Sequence, residues 1–159
     1  MSIPTVTGFF PKPQVIASLP DISLKQLQST ISGEDSLARR HNAFTDYCLG
    51  LLFCCTGHRA VNEPFSELNH FDLDLGLLVI CDKVSDESRA WRMVALPDMA
   101  VNQVNVYRRY LHLLASKLQK RSASEEFPAQ VWDLSQGGNR IPLFFYLQES
   151  GDGWDRVTP

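Results

Sequence analysis

Three basic residues lie where they could share one phosphate. Arg59 follows Thr56-Gly57-His58 in a glycine-containing bend that closes an apolar run. Lys83 ends Leu77-Leu78-Val79-Ile80-Cys81-Asp82, and Arg92 opens Arg92-Met93-Val94-Ala95-Leu96-Pro97 on what reads as the returning strand of a hairpin. A guanidinium beside the N–H groups of a helix start makes a phosphate clamp. A lysine on a hairpin can reach a leaving oxygen and donate a proton to it. Taken singly, each has an ordinary alternative: a structural arginine bonding loop carbonyls, a solvated turn lysine, a strand arginine. Arg89 reads mainly as surface.

The elements that must position these residues can be traced by periodicity. The first thirty or so residues are punctuated by Pro4, Pro11, Pro13 and Pro20, and read as a linker or docking arm over 1–34 with one short helix over Ser23 to Thr30. From Asp35 to Thr56, residues Leu37, Phe44, Tyr47, Cys48, Leu51, Leu52 and Cys55 recur at helical spacing, and Gly57 is the stop signal. Asn62-Glu63-Pro64 reads as the start of a short second helix carrying Phe65 and Leu68 inward. Leu75 to Cys81 and Ala90 to Leu96 are β-like, joined by the polar loop Val84 to Ser88. A long helix is expected from Met99 to about Leu118 on Val101, Val104, Tyr107, Leu111 and Leu114. A shorter element near Gln130-Val131-Trp132, a Gly137-Gly138 turn and the apolar run Ile141 to Leu147 complete the chain. The expected fold class is α+β, mainly helical, with one small antiparallel sheet.

Composition narrows the function classes. The chain has 159 residues, 44% hydrophobic and 21% charged, which suits one globular domain with a real core. A net charge of −3 argues mildly against nucleic-acid binding, although local charge governs contact more than the sum does. Arg39-Arg40-His41, His58-Arg59, Arg89 with Arg92, and Arg108-Arg109 are separate basic foci. Cys48, Cys54, Cys55 and Cys81 form no C-x-x-C pair and read as buried or half-buried thiols in a reducing compartment. Neither they nor the four histidines have zinc-ligand spacing, so no metal or cofactor is expected. A Cys-His dyad from Cys54 or Cys55 lacks a third group, and Asp72 with Asp74 reads as a turn rather than a metal site. No apolar run reaches bilayer length and no signal pattern opens the chain, so a cytoplasmic protein without a membrane partner is expected.

The order of these motifs resembles the catalytic domain of the tyrosine recombinases, the phage-integrase family. There the pattern is roughly T-G-x-R, a short helix bearing an acid, D-I/L-D, a strand ending near a lysine, then R-x-V-P-L and a helix. The match spans about Phe44 to Leu118, and more loosely Pro142-Leu143-Phe144-Phe145. The resemblance implies metal-free DNA cleavage and rejoining: a tyrosine attacks a backbone phosphate, arginines and a histidine stabilise the transition state, and the lysine protonates the leaving hydroxyl. On that footing Arg59 and Lys83 are catalytic, Arg92, His58 and Arg89 contact DNA, and Glu63 supports Arg59.

The family's acid falls three residues after the arginine, where this chain has Asn62, and Glu63 is one further. The H-x-x-R motif and the nucleophilic tyrosine are not found after Leu147, and Tyr146 has no such motif before it. The expectation is therefore a partial catalytic domain over 35–159, inactive alone. DNA would be its partner, self-association would occur on DNA, and the protein would be nucleoid-associated when bound. The alternative is a degenerate, non-catalytic module binding DNA or protein.

Overall fold

The computed structural model describes residues 25, 36–58, 64–85, 88–122 and 124–158, with backbone only at 82–85 and 88–90. Lys25 is helical and exposed; the rest of the expected arm and of its short helix lies outside the described residues.

Helix α1 runs Leu37–Thr56. It starts where Ser36 Oγ accepts the Arg39 N–H at 3.2 Å, which satisfies one of the first-turn donors. It ends on Gly57, at φ 60°, whose N–H donates to Phe53 O at 3.0 Å. That left-handed cap is where a side chain would clash with the backbone, so glycine suits it.

The expected second helix is not a helix where it is described. Pro64 and Phe65 form a turn, with Phe65 at φ 55°, and only the 3₁₀ turn Leu68–His70 follows. Phe65 and Leu68 are nevertheless buried, so the apolar spacing identifies the right residues for the core and the wrong local structure.

Strands β1 (Phe71–Asp72), β2 (Leu77–Ser85) and β3 (Ser88–Ala95) form an antiparallel sheet in the order β1-β2-β3. The strands extend through most of the expected polar loop, because the ladder continues to Ser85 opposite Ser88. Leu75 precedes the strand in an exposed turn, closed by the Leu75 N–H on Asp72 Oδ1 at 2.9 Å. Asp72 is thus a turn former, as its spacing suggests.

Helix α2 (Asp98–Gln119) begins after Pro97 and buries Ala100, Val104, Tyr107, Leu111, Leu114, Ala115 and Leu118. This three- and four-residue spacing puts one continuous stripe on one face. Helix α3 (Glu126–Ser135) packs beside it, with Pro128 in its first turn, where the missing N–H is harmless.

A second small sheet, not expected from sequence, pairs β4 (Phe145–Leu147) with β5 (Trp154–Arg156). Asn42 on α1 holds β4 as a neighbouring strand would: its Nδ2 donates to Leu147 O at 3.2 Å and its Oδ1 accepts the Leu147 N–H at 2.7 Å. The fold is mixed α and β, with three helices and two small antiparallel sheets among the described residues.

The centre of the core is polar at one point. Tyr107, Phe144 and Phe145 are fully buried, and so are His41 and Thr45. His41 Nε2 and Thr45 Oγ1 both donate to Phe145 O, at 3.0 and 3.3 Å, and Tyr107 OH lies 2.9 Å from Thr45 Oγ1. Thr45 has one proton, given to the carbonyl, so the tyrosine hydroxyl donates to Thr45. His41 Nδ1 is buried without a hydrogen-bond partner among the described residues. Burial lowers the His41 pKa to about 4, the bond to Phe145 O opposing that shift, so the ring is neutral near pH 7. Its place in the basic focus Arg39-Arg40-His41 is corrected accordingly.

Candidate functional site

The site starts from the Thr56 hydroxyl, which holds the bend from both sides. Oγ1 donates to Leu52 O at 2.8 Å and accepts the His58 N–H at 3.2 Å. The His58 ring lies against Phe53 and Phe65, at centroid distances of 6.3 and 5.2 Å. Phe53 and Phe65 themselves meet at 5.2 Å, so an aromatic pair fixes the chain as it leaves the helix. Arg59 comes next in the chain; it and Glu63 lie outside the described residues. His58, expected at DNA, is partly exposed and packs against these two rings.

The hairpin meets this bend through Arg92. Its Nη2 donates to Thr56 O at 3.2 Å in a partly buried contact. Thr56 O is a last-turn carbonyl with no helical donor ahead of it, and a cation there also suits the helix dipole. The backbone of the T-G-H-R motif and the arginine of R-M-V-A-L-P are therefore in direct contact, although 36 residues separate Thr56 from Arg92.

Lys83 is reached by way of a bulge. The ladder pairs Ile80 with Arg92 and Cys81 with Trp91, then shifts so that Lys83, not Asp82, stands opposite Ala90. A bulge adds a residue to one strand and re-aims the residues beyond it. At about 3.3 Å per residue, the Lys83–Ala90 position lies roughly 7 Å along the strands from Ile80–Arg92. Arg89 is one register step beyond, opposite Val84. The side chains of Lys83 and Arg89 lie outside the described set.

The four tyrosines are grouped elsewhere. Tyr47 is on α1 itself; Tyr107 bonds Thr45; Tyr110 packs on His41 and Phe44; and Tyr146 donates to Asp46 Oδ1 at 2.7 Å. Helical rise puts these attachment points about 13 Å or more from Thr56 along α1. Burial raises the pKa of Tyr107 and Tyr110. It also pushes Tyr146 up to about 12, with the Asp46 hydrogen bond and charge adding to the effect. Tyr107, Tyr110 and Tyr146 are thus held in the phenol form, away from the bend.

Two of the thiols are pushed away from the thiolate form. Burial pushes Cys48 up to about 12, against the hydrogen bond from Gln103 Nε2 at 3.4 Å, and raises Cys55, with the charge of Cys54 adding to it. Cys48, Cys54, Cys55 and Cys81 form no disulfide among the described residues.

One cationic surface was not visible from spacing. Arg40 on α1 and Lys117, Lys120 and Arg121 at the end of α2 line a single concavity of about 430 Å³ with Ser36. The four cations come from segments 77 residues or more apart (40 to 117). No local sequence signal joins them, and only the packing of α1 on α2 does.

Comparison with known proteins finds no family model, no curated protein and no solved structure that matches the chain. Among the described residues no helix is long and apolar enough to cross a membrane.

Proposed function

We propose that this chain carries the phosphate-binding half of a DNA breaking-and-rejoining site of the tyrosine-recombinase kind. Arg59 and Lys83 would act on one backbone phosphate, and Arg92 would fix the bend that presents Arg59. The observation that carries this reading is the Arg92 Nη2 bond to Thr56 O, which ties the two motifs together at 3.2 Å. The bulge that brings Lys83 into register near Arg92 supports it further.

Chemically, the Arg59 guanidinium and the Lys83 ammonium would offset charge on the phosphoryl oxygens as a nucleophile attacks. The lysine proton then goes to the leaving oxygen. Given where Tyr47, Tyr107, Tyr110 and Tyr146 are attached, the nucleophilic tyrosine would come from outside the described core. The isolated chain would bind DNA without cutting it.

The test is the salt dependence of duplex binding. The Arg59→Ala, Lys83→Ala double variant should bind more weakly, with its log K against log salt slope reduced by about one or two. An unchanged slope would refute phosphate contact.

A non-catalytic interaction module is the second reading. Its specific support is the outer sheet face, where Trp91 is 48% and Met93 65% exposed. Binding of a protein partner through that face, with no DNA affinity, would favour it.

A further inference from the structure

A concavity of about 750 Å³ lies against α2 and the C-terminal end of α3, and none of the residues that line it comes from the Thr56 bend. Asn102, Asn105, Arg109 and His112 line it at spacings of three, four and three residues, hence from one face of α2. Arg108 enters from the flank and Gln136 from beyond α3. Every polar group in this set offers an N–H donor, and among the described residues no carboxylate lines the groove.

Arg108 is a further donor here that the protein leaves unused. Its Nε is buried and has no hydrogen-bond partner among the described residues. Buried donors are nearly always satisfied, and an exception calls for an ion, a water or a ligand. Arg108 also borders a neighbouring groove that Asp72 and Asp74 line, yet it forms no ion pair with either among the described residues. At the rim, the His112 ring lies on Trp132 at 4.2 Å, and Trp132 is 45% exposed.

We propose that this groove binds a phosphate group, gripped by Arg108 and Arg109 and completed by the amides and His112. Guanidinium forks match phosphate oxygens in pairs, and amide donors fill the remaining lone pairs. A free phosphorylated small molecule and a nucleic-acid backbone both present that group. The chemistry is the same, and the site stands independently of the Arg59, Lys83 and Arg92 reading.

The experiment titrates the chain at low salt with inorganic pyrophosphate and, separately, with a short DNA duplex. Binding is read at the Trp132 indole and His112 ring by NMR. A saturable shift at these two rings is expected, with affinity weakened tenfold or more in Arg109→Gln and in Arg108→Gln. Arg59→Ala should leave the pyrophosphate affinity read at these two rings unchanged, which separates this site from the Arg59 and Lys83 site. Saturation by pyrophosphate identifies a free-phosphate site; saturation by duplex alone, still lost in Arg109→Gln, identifies backbone phosphate. Should Arg108→Gln not fold, the exposed Arg109→Gln and His112→Gln decide the matter. No shift at either ring with either probe, or wild-type affinity in the variants, overturns the proposal.

Discussion

Acidification should destabilise this protein through one residue, His41. In the folded state its ring is fully buried, its Nε2 proton is given to Phe145 O, and Nδ1 faces no acceptor. Protonation would place a charged N–H at Nδ1 with nothing to receive it. The folded pKa is about 4, against 6.5 for an unperturbed imidazole. Because the folded value is depressed, the unfolded chain binds the proton first. The stability is fully present above about pH 6.5, declines as pH falls, and is exhausted below about 4. The ceiling set by that difference, at about 1.4 kcal/mol per pH unit, is roughly 3 kcal/mol, and at pH 5 the loss is about 2 kcal/mol. Against a total stability of about 5–15 kcal/mol this is a large fraction. Other groups also respond to acid, so the assay is a comparison. Urea midpoints from pH 7.5 to 4.5 are measured for the wild type and His41→Gln, whose amide can still donate to Phe145 O. The wild type should lose about 2 kcal/mol more than the variant between pH 7 and 5. Parallel profiles, or a His41 ring that titrates near 6.5 by NMR, would show that this histidine does not carry the acid sensitivity.

The other expectations concern the bend and the thiols. Arg92→Met removes a charged donor from Thr56 O, and should cost about 2 kcal/mol of unfolding free energy by urea titration, as hydrogen bonds to charged groups do. Gly57→Ala forces a side chain onto φ 60° although space for it is open, and should cost about 1 kcal/mol, with Gly57→Asn milder. Cys48, with its thiol pushed up to about 12, should resist a thiol reagent at pH 8 in the native protein and react only at the rate of global unfolding. Labelling of Cys48 as fast as in urea would contradict its burial.

The long helices can be read from sequence because their apolar stripes repeat with helical period. The ends of α1 and α2 lie within two residues of expectation, at Leu37–Thr56 and Asp98–Gln119. Gly57 as stop signal is a local rule, and the helix obeys it. Features that depend on tertiary partners escape the sequence. The β4–β5 pair is three residues on each side, too short for alternation to declare itself, and it is held by Asn42 from a distant helix. His41 and Thr45 look polar, yet they share Phe145 O at the centre of the core. The Asn62-Glu63-Pro64 helix signal gives way, where described, to a turn at Pro64 and Phe65, followed by a 3₁₀ turn.

Within the candidate site, spacing suggests that Arg92 belongs with the Thr56 bend, and the two do touch. It cannot suggest that His58 packs against both Phe53 and Phe65, because Phe65 arrives from beyond the bend. Nor can it foresee the bulge that passes over Asp82 in favour of Lys83.

The most direct test of a shared phosphate site is a double-mutant cycle on duplex affinity, using Arg59→Ala, Lys83→Ala and the pair at one fixed salt concentration. Groups that contact the same phosphate are coupled, and the two losses should fail to add by about 0.5 kcal/mol or more. Strict additivity, or affinity unchanged in all three variants, would contradict the convergence of Arg59 and Lys83 on one phosphate.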